Sequence, residues 1–438
     1  MKFELNYAKS TLSFTLNEKN YMGTLLPNEL PYELTDEPEV RRAMEYPIGS
    51  VRLSELVSPG EKVVIITSDI TRPMPSYRVL PEVIAELAKG GVAERDITVI
   101  LALGSHRKHT EEEKRALVGA SVYQSEVKIL DSDMNQCIRL GQCRNGTPVD
   151  LFRPVVEADR RICLGNIEYH YFAGYSGGIK ALMPGVSSHE AIQTNHSNMV
   201  SPKAYAGNLD TNPVRQDMEE VGKYINIDFI VNVVLNEKKQ IIKAFAGHFQ
   251  KAHRAGCAFL DRMYKIPLKK QADIVILSPG GFPKDINIYQ SQKGLDNAKH
   301  AVRPGGILIW CASAAEGFGE KTFEEWMTTK RPKEMIEEIK VNFRLGGHKA
   351  AAIAMVLETA SIFMVSDLPN KLLRSIGMIP FDSVQIAVNE AIRLLGEESQ
   401  VLVLPLAGST LPDAVTSGAV DSKDVAEPRP VLNQSAPA

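Results

Sequence analysis

The sequence is poor in cysteine and has no pairing pattern for it: Cys137, Cys143, Cys163, Cys257 and Cys311 are scattered, odd in number and never spaced as CxxC. That argues against a disulfide framework and a cysteine-bound zinc, and it fits a reducing cytoplasm. An excess of one charge is also missing. With 50 Lys+Arg against 53 Asp+Glu, and neither a basic block nor an acidic tail, the chain offers no groove for nucleic acid. No apolar run approaches the roughly 18 residues of a membrane span. The first residues, "MKFELNYAKSTLSFTL", alternate like a strand and lack the apolar centre of a signal peptide. These absences lead to the expectation of a cytoplasmic protein that binds a small molecule, with no nucleic-acid or membrane partner.

What is present is a succession of strands and helices. "KVVIITSD" (Lys62 to Asp69) is a short β-branched run, and past a proline-containing loop Leu80, Val83, Ile84 and Leu87 recur at helical spacing. "ITVILALGSHR" (Ile97 to Arg107) repeats the pattern, with acidic residues opening the next helix where the dipole favours them, and "RRICLGNIEYH" (Arg160 to His170) adds another strand. A second cycle starts at "ADIVILSPGG" (Ala272 to Gly281). The reading is an α/β protein of two α/β domains with mostly parallel sheets and the active site in the cleft between them. The expected domains are 1–265, possibly joined by the strand at 400–411, and 272–399; the polar "KIPLKKQ" (Lys265 to Gln271) would connect them. From Pro412 to 438 a flexible tail is expected.

Candidate chemistry gathers in loops at strand ends, where ligands of such sheets collect. "SDITRPMP" (Ser68 to Pro75) offers Asp69 and Arg72: either an internal ion pair or a guanidinium ready for a carboxylate or phosphate. "LGSHRKH" (Leu103 to His109) offers His106. "NIEYHYFAGYSGGIK" (Asn166 to Lys180) places His170, Phe172 and Lys180 on one glycine-rich stretch, and "IQTNHSNM" (Ile192 to Met199) adds His196. The stretch fails as a P-loop, because Lys180 follows Ile179 rather than glycine and Ala181 stands where a Ser or Thr would hold Mg²⁺. The amides of Ser176, Gly177 and Gly178 could still form an anion nest, and with Asp69 they are expected around a cofactor. "NIYQSQKGLDNA" (Asn287 to Ala298) offers Tyr289, Gln290 and Lys293 near a helix start.

Together "SDITRP", "GSHR", "EYHYFAGYSGGIKALMPG", "NHSNM" and "YQSQKG" resemble the nickel-pincer lactate racemase family. The resemblance runs from about Ser68 to His348. It implies a racemase or epimerase of 2-hydroxy acids, an isomerase working by reversible hydride transfer. The implied cofactor is a nickel-pincer nucleotide, a pyridinium-3-thioamide-5-thiocarboxylic acid mononucleotide, made by separate cofactor-synthesis enzymes. Carried over by motif, Lys180 corresponds to the attachment lysine and His196 to the nickel ligand. His106 and His170 correspond to the acid/base pair, and Arg72 and Lys293 to the clamp on the substrate carboxylate. Imidazole and sulfur ligands suit square-planar nickel(II), and a cofactor can carry the hydride that a poorly acidic α-hydrogen would not yield as a proton.

The substrate itself is open at this stage. Phe172 favours a small apolar group, whereas Gln290 beside the clamp could take a further hydroxyl or carboxylate, so lactate and longer hydroxy acids both stand. Two other readings remain: a zinc-dependent hydrolase using His106, His170 and His196, and an organic-anion-binding protein without catalysis.

Overall fold

Runs of β-branched residues become the buried strands of two six-stranded sheets in the computed structural model, which describes residues 1–414. In chain order the strands are β1 (Tyr21–Thr24), β2 (Val63–Ser68), β3 (Ile97–Ala102), β4 (Lys128–Asp131), β5 (Arg160–Asn166), β6 (Phe229–Leu235), β7 (Ile241–Gly247), β8 (Ala272–Leu277), β9 (Val302–Cys311), β10 (Ser361–Val365), β11 (Ile379–Pro380) and β12 (Val401–Leu404). One sheet has the order β7-β6-β5-β2-β3-β4 and the other β11-β10-β9-β8-β12-β1. All neighbours are parallel except β6 and β7. The expected mostly parallel α/β architecture is therefore present in both.

The chain divides into the unit Leu30–Asp261 and a second unit made of Met1–Glu29 with the chain from Arg262 onward. This differs from the expected 1–265 and 272–399. Val401–Leu404 is buried along its length, so it needs neighbours on both sides; it finds β8 on one and β1 on the other. It thus belongs to the second unit rather than joining the first. The N-terminal hairpin Lys2–Tyr7 and Ser10–Thr15 goes with it, burying Leu5, Phe14 and Leu16 in the core of that sheet. The supposed connector begins with a strand, Lys265–Leu268, paired in parallel with Leu411–Ala414. The expected tail therefore starts inside a strand, and its remainder, 415–438, lies outside the described residues.

Within Leu30–Asp261 the core forms between the sheet and its helices. Helix α1 (Ser76–Lys89) turns Val79, Leu80, Val83 and Leu87 toward Val63, Ile65, Val99 and Leu101 of β2 and β3, an i, i+3/i+4 stripe laid on a fully buried sheet. The connections run from β2 outward to β3 and β4, then return to place β5 on the other side of β2. That reversal leaves a crevice at the C-terminal ends of β2 and β5, the expected binding position in open parallel sheets. No helix of the described residues is long and apolar enough to cross a membrane.

Candidate active site at the ends of β2, β3 and β5

The loop after β2 carries Asp69, which is buried although it is charged. Its Oδ2 lies 2.5 Å from His106 Nδ1 on the loop after β3, and the Thr71 hydroxyl donates to Oδ1 at 2.9 Å. Burial alone would raise the Asp69 carboxyl, but the bonds from His106 and Thr71 and the charge of Arg72 outweigh it and hold the group below the usual aspartate range. Asp69 is thus an ionised acceptor for the Nδ1–H of His106. The alternative of an Asp69–Arg72 ion pair is not what forms. Arg72 is exposed, and its backbone N–H donates to the Asp69 carbonyl at 3.1 Å.

The loop after β5 is braced from all sides. Buried Arg215, on helix α3, donates from Nε to the Ala173 carbonyl at 3.2 Å and from its Nη2 to that of Tyr175; α2 is His189–Ser197 and α3 is Pro213–Glu220. His253 Nε2 lies 2.8 Å from the Ser176 carbonyl, and Asn212 Nδ2 donates to that of Phe172 at 2.9 Å. The expected amide nest does not form. Ser176 N–H bonds the Glu168 carbonyl at 2.9 Å, and Gly178 N–H bonds Asn232 Oδ1 at 2.8 Å, because a buried turn must satisfy its own backbone first. The glycines serve close packing instead: a Cβ on Gly174, where φ is +78°, would lie 2.1 Å from the Asn208 carbonyl oxygen, and one on Gly178 would lie 2.9 Å from the His253 ring.

Lys180 sits in a short 3-10 turn, Gly178–Ala181. Burial, then the charges of Arg215 and Arg72, push its amine well below the ordinary lysine range. His170 is pushed the same way, by burial first and with the charge of Arg72 adding to it, so it is neutral. Its Nδ1 accepts the Ala173 N–H at 3.3 Å, which leaves the hydrogen on Nε2. Phe172 is buried and meets two rings edge-on, His170 at 4.6 Å and His196 at 5.0 Å between centroids. His196 comes from α2, and its Nδ1 lies 3.0 Å from Asn195 Oδ1, while the Asn195 amide donates to Val214 O and Asp217 Oδ2, each at 3.1 Å. The acceptor fixes the Nδ1–H tautomer and directs the Nε2 lone pair away. His170, Phe172, Lys180 and His196 are thereby brought together, within reach of the Arg72 charge.

The family that this geometry belongs to is visible along most of the chain. Residues 7–207 match the lactate racemase N-terminal domain and residues 268–410 the lactate racemase C-terminal domain. The chain belongs to the lactate racemase family. It is an enzyme of the isomerase class. It is 35% identical over 414 residues to the lactate racemase of Thermoanaerobacterium thermosaccharolyticum, covering 92% of this chain and 97% of that one. The lactate racemase of Lactiplantibacillus plantarum is 33% identical over the same shares. The structure of the T. thermosaccharolyticum lactate racemase apoprotein superposes with a TM-score of 0.83 at 33% identity, covering 94% of this chain and 100% of that chain. A Thermotoga maritima protein, 18% identical with a TM-score of 0.61, shares the fold, with 86% and 98% of the two chains covered.

In this member of the lactate racemase family, Tyr289, Gln290 and Lys293 lie in the other unit, on helix α4 (Ile288–Ala298), whose cap Asn287 accepts the Gln290 N–H at 2.9 Å. Gln290 is exposed, and the Lys349 ammonium lies 3.9 Å from the centre of the Tyr289 ring. Sequence reasoning missed Arg215, His253, Asn232 and Asn195, which hold the loops rather than project from them. Two left a signal: Asn232 interrupts the apolar run "FIVNVVL", and Arg215 opens a helix beside its Asn212–Pro213 cap. A polar residue inside a buried element must have a partner.

Proposed function

We propose that this enzyme racemises a short 2-hydroxy acid, lactate or a near relative, with a nickel-pincer nucleotide held at Lys180 and His196. The observation that carries this reading is the half-buried Lys180, whose amine is pushed well below the ordinary lysine range, toward the neutral form, by desolvation and by neighbouring guanidinium charge. A neutral amine can be acylated; an ammonium cannot. Two features fit the group: that amine, and a His196 whose Nδ1 faces the Asn195 carbonyl oxygen, so that the lone pair a late first-row metal would take is on Nε2. When bound, the group supplies a reversible acceptor for the substrate's α-hydride.

The chain's own residues handle the proton. His106 takes the hydroxyl proton at Nε2 while its Nδ1–H stays on ionised Asp69, which stabilises the imidazolium as it forms. His170 serves the opposite face and starts differently, since its Nε2 carries the hydrogen and donates to the substrate oxygen. To accept a proton there, its hydrogen must move to Nδ1 and the Ala173 contact must open. Arg72 grips the carboxylate in a forked bond, and the resemblance gives Lys293 the same ligand. Phe172 packs between His170 and His196 and keeps water from the reacting carbon.

A zinc hydrolase built on the three histidines is disfavoured by geometry. Among the described residues one set of three or more ligating side chains lies within 4.8 Å, Cys143, Asp217 and Glu220, and none of the histidines belongs to it. The test is to co-produce the chain with cofactor-making enzymes and measure intact mass, nickel and lactate racemisation. Wild type should carry nickel and an added mass on the Lys180 peptide, and Lys180→Ala should lack the adduct and all turnover; adduct and nickel persisting in Lys180→Ala would overturn the assignment.

A further inference from the structure

The loop from Leu103 to Thr110 carries two histidines that start alike and end differently. Each has Nδ1 on an aspartate: His106 on Asp69 at 2.5 Å, His109 on Asp131 at 2.6 Å. No described residue bonds Nε2 of His106, whereas Nε2 of His109 accepts the backbone N–H of Ile70 at 3.1 Å. Because that nitrogen accepts, the His109 hydrogen sits on Nδ1 and points at Asp131, which also takes the His109 backbone N–H at 3.0 Å. The His109 side chain is 1% exposed.

The placement of these groups gives the ring a task. Asp131 is the last residue of β4, Ile70 follows β2, and β3 lies between those strands. The imidazole therefore ties together two strand-end loops that the sheet itself does not join. Ile70 is 41% exposed, so the bond does not serve to bury its side chain. What it fixes is the peptide between Asp69, which holds His106, and Thr71 and Arg72. We propose that Asp131 and His109 form a strut that sets this peptide, making His109 a positioning residue for the Asp69–His106 pair and for Arg72. The proposal rests on reading His106 as an acid/base group and Arg72 as a substrate ligand.

Two substitutions separate the strut from mere packing. In His109→Asn the side-chain amide can still donate to Asp131, but no acceptor reaches Ile70; in His109→Gln the longer side chain offers its carbonyl to that amide. Two readouts on the chain without cofactor decide the matter: hydrogen exchange at the Ile70 amide and the ring ¹⁵N shifts of His106. His109→Asn should speed Ile70 exchange tenfold or more and move the His106 shifts, and His109→Gln should restore both. In loaded enzyme, kcat should fall about tenfold in the Asn variant and recover in the Gln variant. A folded His109→Asn with wild-type exchange or wild-type His106 shifts would overturn the strut, as would altered exchange with unchanged kcat. A loaded wild type that fails to racemise would sink the functional reading, while the two apoprotein readouts would still judge the strut.

Discussion

The loops after β2 and β5 adjoin the same crevice and are built by opposite means. The first keeps Arg72 exposed and is secured through a few directed bonds, from His106, Thr71 and His109. In the second, the carbonyls of Phe172, Ala173, Tyr175 and Ser176 meet side chains from elsewhere in the fold, and Gly174 admits no larger residue. The difference follows from the tasks proposed for them. A guanidinium that takes and releases a substrate carboxylate needs water at hand, whereas an amine that must stay neutral needs a dry, fixed surround.

The contrast can be tested at the two histidines first. His106→Ala and His170→Ala should each lower turnover by about two decades or more, the scale of losing a general acid/base, while leaving nickel content unchanged. Because only His106 is backed by a carboxylate, the two variants should differ in how kcat at saturating enantiomer is lost in the two directions, with KM moving in step, since kcat/KM must stay equal between enantiomers of equal energy. Equal losses of kcat from both enantiomers in both variants would remove the proposed asymmetry.

Stability should separate the loops next. Gly174→Ala meets both a left-handed backbone and a backbone oxygen that cannot move aside, so urea denaturation should show a loss of about 1–3 kcal/mol or more. Thr71→Ala in the first loop removes one hydroxyl bond and should cost only about 0.5–1.5 kcal/mol. A tolerated Gly174→Ala would mean the second loop is less tightly held than its packing indicates.

The last expected effect is a difference in pH window. His170 and His253 are held neutral by burial, so below the ordinary histidine value of 6.5 the unfolded chain binds more protons than the folded one. Stability should therefore fall as pH drops below about 6.5, by at most about 1.4 kcal/mol per pH unit for each such group. Asp69 is lowered too, but in a more acidic range: its contribution is present above the unfolded value of 3.8 and is lost as pH falls through its lower folded value. Urea curves from pH 7 to 4 should show the histidine loss first, and a flat profile from pH 7 to 5 would contradict the burial of the two rings.

The sequence by itself determined the strands, the parallel α/β class and the residues that leave strand ends, because apolar periodicity and loop chemistry are local properties. It named His106, His170, Lys180 and His196 by motif, and the fold sets the His170 and His196 rings against Phe172, with Lys180 near enough to His170 to act on it electrostatically. Only the tertiary structure decided that Met1–Glu29 belongs with the later half, since an edge strand such as Tyr21–Thr24 carries no mark of the partner it will pair with. It likewise decided what each polar group meets. Asp69 turned to His106, His109 to Ile70 and Arg215 to the glycine-rich loop; residues 37, 39 and about 40 positions apart become neighbours only once strands align and burial demands a partner for every donor.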